Sequence, residues 1–87
     1  MKTALLPLAA LLTSTIAFAG PTCNAPEAQW MKEADFRKKV EADGYTIRKF
    51  KVTDGRCYEI YGTDKAGKKV EIYFDPATAK VLQANKS

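Results

Sequence analysis

The chain contains no histidine and only two cysteines among its 87 residues. Without imidazole there is no Ser-His-Asp triad, no Cys-His nucleophile pair and no His-ligated metal or haem. Two thiols are too few for a four-thiolate zinc or iron–sulfur centre. The five glycines form neither the GxxxxGK[ST] nor the GxGxxG run that cradles a phosphate. No cofactor is expected. Long apolar runs are equally scarce. The run from Ala4 to Leu12 falls short of the roughly 20 residues that span a bilayer. The length allows one small domain.

What is present first is a targeting pattern. Lys2 is a short positive region, Ala4 to Leu12 is apolar, and Ala17-Phe18-Ala19 is a small-x-small cleavage site. Residues 1–19 are therefore expected to be a cleaved signal peptide and residues 20–87 the domain. Gly20, Pro21 and Thr22 separate Cys23 from the cleavage point, which argues against a lipid anchor. Removing nineteen residues from 87 leaves 68, and losing Lys2 lowers the net charge from +4 to +3. The product is expected to be periplasmic or secreted, without stable membrane insertion. A domain of this size buries only about 60% of its extended-chain surface. Oxidising compartments permit a remedy. Cys23 and Cys57 are the available pair, and a bridge between them stabilises by roughly 3–4 kcal/mol in the chain-entropy model.

The pattern predicts a helix over Glu33 to Asp43, with Glu33 and Asp35 in the first turn and Gly44 just past the end. Phe36 and Val40 make one narrow apolar stripe, which must pack on another element. Four strands supply it. Tyr45 to Thr53 leads, Asp54-Gly55 is the turn dipeptide, and Arg56 to Thr63 follows. Lys69 to Asp75 alternates with Val70, Ile72 and Phe74 on one face, and Lys80 to Gln83 adds a short last strand. A bulge near Arg48-Lys49 brings Ile47, Phe50 and Val52 onto one face. The expected fold is α+β, one helix packed on a four-stranded antiparallel meander. Its core draws on those apolar residues together with Ile60, Phe36 and Val40. The opposite face carries Lys51, Glu59, Tyr61, Glu71 and Tyr73, and an antiparallel sheet can leave such a face in water.

These residues carry a family resemblance. Trp30, then Glu41-Ala42-Asp43-Gly44-Tyr45 and Ile47-Arg48-Lys49, resemble a PepSY-type domain. The similarity continues through Asp54-Gly55-Arg56-Cys57-Tyr58-Glu59 and Asp64-Lys65-Ala66-Gly67-Lys68-Lys69-Val70-Glu71. It closes on Tyr73-Phe74-Asp75-Pro76-Ala77-Thr78. The resemblance covers about Cys23 to Leu82, and one departure is visible. Ala79 stands where the family tends to have glycine, which puts a left-handed turn residue on alanine. The resemblance implies an inhibitory or regulatory module for extracytoplasmic peptidases. The implied partner is an exported peptidase or another envelope protein, bound by a monomer with no catalytic residues of its own.

Five residues on the uncovered face are candidates for partner binding: Tyr61, Tyr73, Lys51, Glu59 and Glu71. Exposed tyrosines on a rigid sheet bury large area at low entropic cost. The plainer reading makes them strand formers partly covered by the N-terminal leader and its disulfide. Glu59 and Glu71 as an acid–base pair lose to solvated charges beside Lys51 and Lys69. Trp30 reads as a plug at one end of the core. The basic groups Arg37-Lys38-Lys39, Arg48-Lys49-Lys51 and Lys65-Lys68-Lys69 are interleaved with acids and lack the aromatic stripe of single-strand binders. No nucleic-acid partner is expected. The alternative to a protein-binding module is a small-ligand or envelope-surface binder that uses the same face.

Overall fold

The computed structural model describes residues 20–87, and the targeting segment expected over residues 1–19 lies outside them. A short 3-10 turn, Glu27–Gln29, precedes helix α1 (Glu33–Ala42). Strands β1 (Thr46–Val52), β2 (Tyr58–Thr63), β3 (Lys69–Phe74) and β4 (Val81–Lys86) follow. They pair in chain order as an antiparallel meander. The expected architecture of one helix on four strands is the observed one.

Helix α1 starts on acids, Glu33 and Asp35, which suit the positive end of its dipole. It ends in a Schellman motif. The Gly44 N–H donates to the Glu41 carbonyl and the Tyr45 N–H to the Val40 carbonyl, with Gly44 at φ 106°. Its two buried residues, Phe36 and Val40, form the expected stripe. The Phe36 ring meets those of Tyr58 and Phe74 edge-on, with centroids 4.8 and 4.9 Å away, and tilts against Phe50 at 5.6 Å. A phenyl ring buried this fully stabilises by about 2–3 kcal/mol. Ile60, Ile72, Val70 and Phe74 complete the core beneath it. Tyr58 belongs there too, its hydroxyl donating to the Met31 carbonyl.

Trp30 plugs one end of this core. Its ring packs edge-on to Tyr58, its indole N–H donates to the Ala25 carbonyl at 2.9 Å, and the Arg56 guanidinium lies 4.9 Å over it. The Met31 N–H donates to the Pro76 carbonyl, tying this segment to the last turn.

The bulge lies where the pattern put it. Pairing shifts between Ile47 and Lys49, leaving Arg48 as the extra residue. Val52 is a correction. It shares the core-facing side with Phe50, since it pairs with Tyr58, yet it is 49% exposed. With only Phe36 and Val40 buried, α1 covers the middle of the sheet and leaves the far end of edge strand β1 bare.

Each hairpin ends on a left-handed residue: Arg56 at φ 67°, Gly67 at φ 82° and Ala79 at φ 63°. The left-handed alanine is where the departure from the family pattern put it. Arg56 was not foreseen in that role. The Arg56 N–H donates to the Thr53 carbonyl and the Thr53 N–H to the Cys57 carbonyl, so Asp54 and Gly55 occupy the middle of a type I-like turn and the residue after them takes the strain. The last strand is also longer than expected. β4 pairs from Val81 to Lys86 because the edge of β3 offers backbone partners along its whole length.

Candidate functional site

The sheet face away from α1 is built from two adjacent cross-strand rows. Lys51, Glu59, Tyr73 and Gln83 form one, and Lys49, Tyr61, Glu71 and Asn85 the other. All five residues singled out from the sequence therefore share this face. They do not share its exposure. Tyr73 is 3% exposed and Glu59 2%, whereas Tyr61 is 37% exposed. Lys51 is exposed and Glu71 half-buried.

The leader causes this asymmetry. Cys23 is bonded to Cys57 with a Cα–Cα distance of 5.2 Å, as expected from the cysteine count. The Cys23 N–H donates to the Gly55 carbonyl at 2.8 Å. Gly55 matters by its lack of a side chain, since a Cβ there would strike the backbone carbonyl of Pro21. From this anchor the chain runs back until Gly20 lies against the Tyr73 ring. Gly20 covers Tyr73 in the first row, where Glu59 is buried as well, and the second row stays open around Tyr61.

Beneath this cover lies a carboxyl cluster. The Tyr73 hydroxyl donates to Glu71 Oε2 at 2.8 Å, the Tyr61 hydroxyl to the same oxygen at 3.2 Å, and Asn85 Nδ2 to Oε1 at 3.3 Å. Burial raises the Glu59 carboxyl above its ordinary value, and its hydrogen bond with Glu71 raises it further. That same hydrogen bond, then the one from Tyr73, hold Glu71 down at about 2. The two carboxyls titrate as a pair in which Glu59 holds a proton more readily than Glu71. The Tyr61 hydroxyl is pushed up to about 12, first by its hydrogen bond to Glu59 and then by burial. Burial and the bond to Glu71 push Tyr73 strongly upward as well. Glu59 Oε2 is buried with no hydrogen-bond partner.

The structure also assembles residues that the sequence reading left as solvated surface. Arg48, Lys49 and Lys69 line a hollow of ≈ 430 Å³ with Tyr61, Gly62 and Val70. The expected bulge held the signal, since an extra residue beside Lys49 re-aims Arg48 alongside it. Gly62 is fixed by the same feature, because a Cβ there would overlap the Thr46 carbonyl oxygen opposite the bulge.

No group of three or more His, Cys, Asp or Glu side chains that could hold a metal occurs among the described residues. No helix among them is long and apolar enough to cross a membrane.

Residues 3–85 match the family model described as peptidase propeptide and YPEB domain, PepSY_2. The chain belongs to this family. Its domains are non-enzymatic regulatory modules associated with peptidases, and are generally extracytoplasmic. No curated protein and no solved structure gives a significant match.

Proposed function

We propose that the protein is exported as residues 20–87 and regulates an extracytoplasmic peptidase by binding it through the open half of the sheet face, centred on Tyr61. The family supplies the class of activity, a non-catalytic module acting on peptidases. The carrying observation is the half-covered face. A disulfide-stapled leader shields Tyr73, beside the buried Glu59, while Tyr61, bonded through its hydroxyl to Glu71, is left 37% exposed. A tyrosine pinned on a strand is preorganised, so little side-chain entropy opposes docking. The signal-peptide pattern and the bridged cysteines agree with an oxidising compartment.

The burial of Tyr73 changes the design of the test, because Tyr73→Ala would unpack the sheet under the leader. Tyr61→Ala alone is the informative variant. Immobilised wild type is expected to retain a peptidase from extracytoplasmic extract and to lower its turnover. Tyr61→Ala, with an unchanged melting curve, is expected to retain much less. Equal retention by both proteins would refute the role of this face.

A further inference from the structure

We infer that the hollow beside Tyr61 is a docking groove for an acidic, extended peptide segment of the protein's partner. This rests on the reading that the Tyr61 face binds a protein, and it adds the chemistry of what is bound.

The groove collects an excess of positive charge. Pairing jumps from Ile47–Gly62 to Lys49–Tyr61, so Arg48 and Lys49 both stand opposite a single residue of β2. Lys69, at the start of β3, lines the same hollow from the other side of Tyr61. None of these cations has an ion-pair partner among the described residues. Arg37, Arg56 and Lys86, by contrast, are paired with Glu33, Glu27 and Asp64. The one carboxylate at the rim, Glu71, already accepts hydrogen bonds from Tyr61, Tyr73 and Asn85. Arg48, Lys49 and Lys69 thus face a single side-chain carboxylate, Glu71, and the site is electropositive in balance.

Shape then selects the ligand. A second hollow of ≈ 230 Å³ shares Tyr61, Lys69 and Val70 with the first and continues to Glu71, Asn85, Lys86 and Ser87. The two form one trough crossing the end of the sheet from β1 to β4, with a single aromatic ring near its middle. A trough of this kind admits one extended chain, with acidic side chains reaching the cations on both sides and an apolar one on the Tyr61 ring. A bilayer surface is flat and meets protruding side-chain tips. A single-stranded nucleic acid calls for several stacking rings, one per base.

The test is selection of random displayed dodecapeptides against the full oxidised protein. Retained peptides are expected to be rich in Asp and Glu around an apolar residue. Arg48→Glu/Lys49→Glu is expected to weaken them by roughly tenfold or more. Lys38→Glu/Lys39→Glu, the same charge change on the exposed face of α1, is expected to leave them within about twofold. No selection, selection of neutral or basic peptides, or equal weakening by both variants overturns the inference. Displacement of the peptides by millimolar inorganic phosphate, or preferential binding to phosphatidylglycerol vesicles, overturns it as well. Peptidase capture separates the two readings. If capture is lost in Tyr61→Ala but persists in Arg48→Glu/Lys49→Glu, the acidic-segment inference falls and the binding face stands.

Discussion

Glu59 is an acid placed where its charge is costly. Its neighbours are Lys51 across β1, Tyr61 on its own strand, Glu71 and Tyr73 on β3, and the leader above. A carboxyl whose folded value is raised by burial favours the fold below its unfolded pKa, and that contribution is lost as pH rises through the folded value. Glu71 has the opposite sign. Held at about 2, chiefly by its hydrogen bond with Glu59, it favours the fold above the unfolded value and loses that contribution as pH falls towards 2. The pair is consequently most stabilising near pH 4.5, the ordinary glutamate value, and weaker on either side. Glu59→Gln keeps the shape and the neutral charge of the protonated acid. It is expected to melt at a higher temperature than wild type at pH 8, with the gap closing as pH approaches 4.5. Melting curves across that range check it, and a gap that does not change with pH would show that Glu59 carries no buried proton.

At the scale of elements, the leader converts a disulfide into a lid. A bridge spanning 34 positions stabilises by about 4 kcal/mol in the chain-entropy model. Cys23→Ser/Cys57→Ser is expected to lower the unfolding free energy by about that much in urea titration. A second effect distinguishes a lid from a plain staple. With the leader unpinned, water reaches Glu59, so the Glu59→Gln advantage at pH 8 shrinks in the serine background. If the advantage persists undiminished, the leader does not cause the burial. This covering is also what the sequence hid. Alternation, the bulge, the cysteine pair and the Gly44 stop are local signals, and the strands, their faces and the bridge were legible from them. The burial of Tyr73 depends on where the irregular segment over residues 20–26 comes to rest, and no periodicity encodes that. Val52 was misjudged for a related reason. Its face is set by the strand, but its cover depends on how far α1 reaches. The groove at Arg48 was half legible, since the bulge was expected but its effect on neighbouring cations was left unused.

The whole molecule has two unlike edges, and the difference bears on how it survives in solution. β1 bends at its bulge and carries Arg48, Lys49 and Lys51. Bulges and cations of this kind blunt pairing with another chain. β4 has neither a charge between Val81 and Asn85 nor a helix over it. All of its residues are exposed, Val81 at 46% and Leu82 at 41%. Its own irregularity falls on Leu82, which is left without a partner where pairing with β3 slips between Tyr73 and Phe74. Lys80 and Lys86 flank this stretch, so two copies meeting edge to edge bring like charges together only at the ends. The net charge of +4 on the chain opposes such contact at low salt and loses its reach as the Debye length falls to about 3 Å at 1 M. Concentrated protein is therefore expected to self-associate through β4 as salt is raised. Leu82→Lys puts a charge near the start of the bare edge without removing a core contact, and surface changes of this kind stay within about 0.5 kcal/mol. Sedimentation velocity at high salt should then find the variant monomeric where wild type associates, with both proteins melting alike. Equal association would move the contact away from β4, and the Tyr61 groove would be the next surface to probe with the same charge-placement approach.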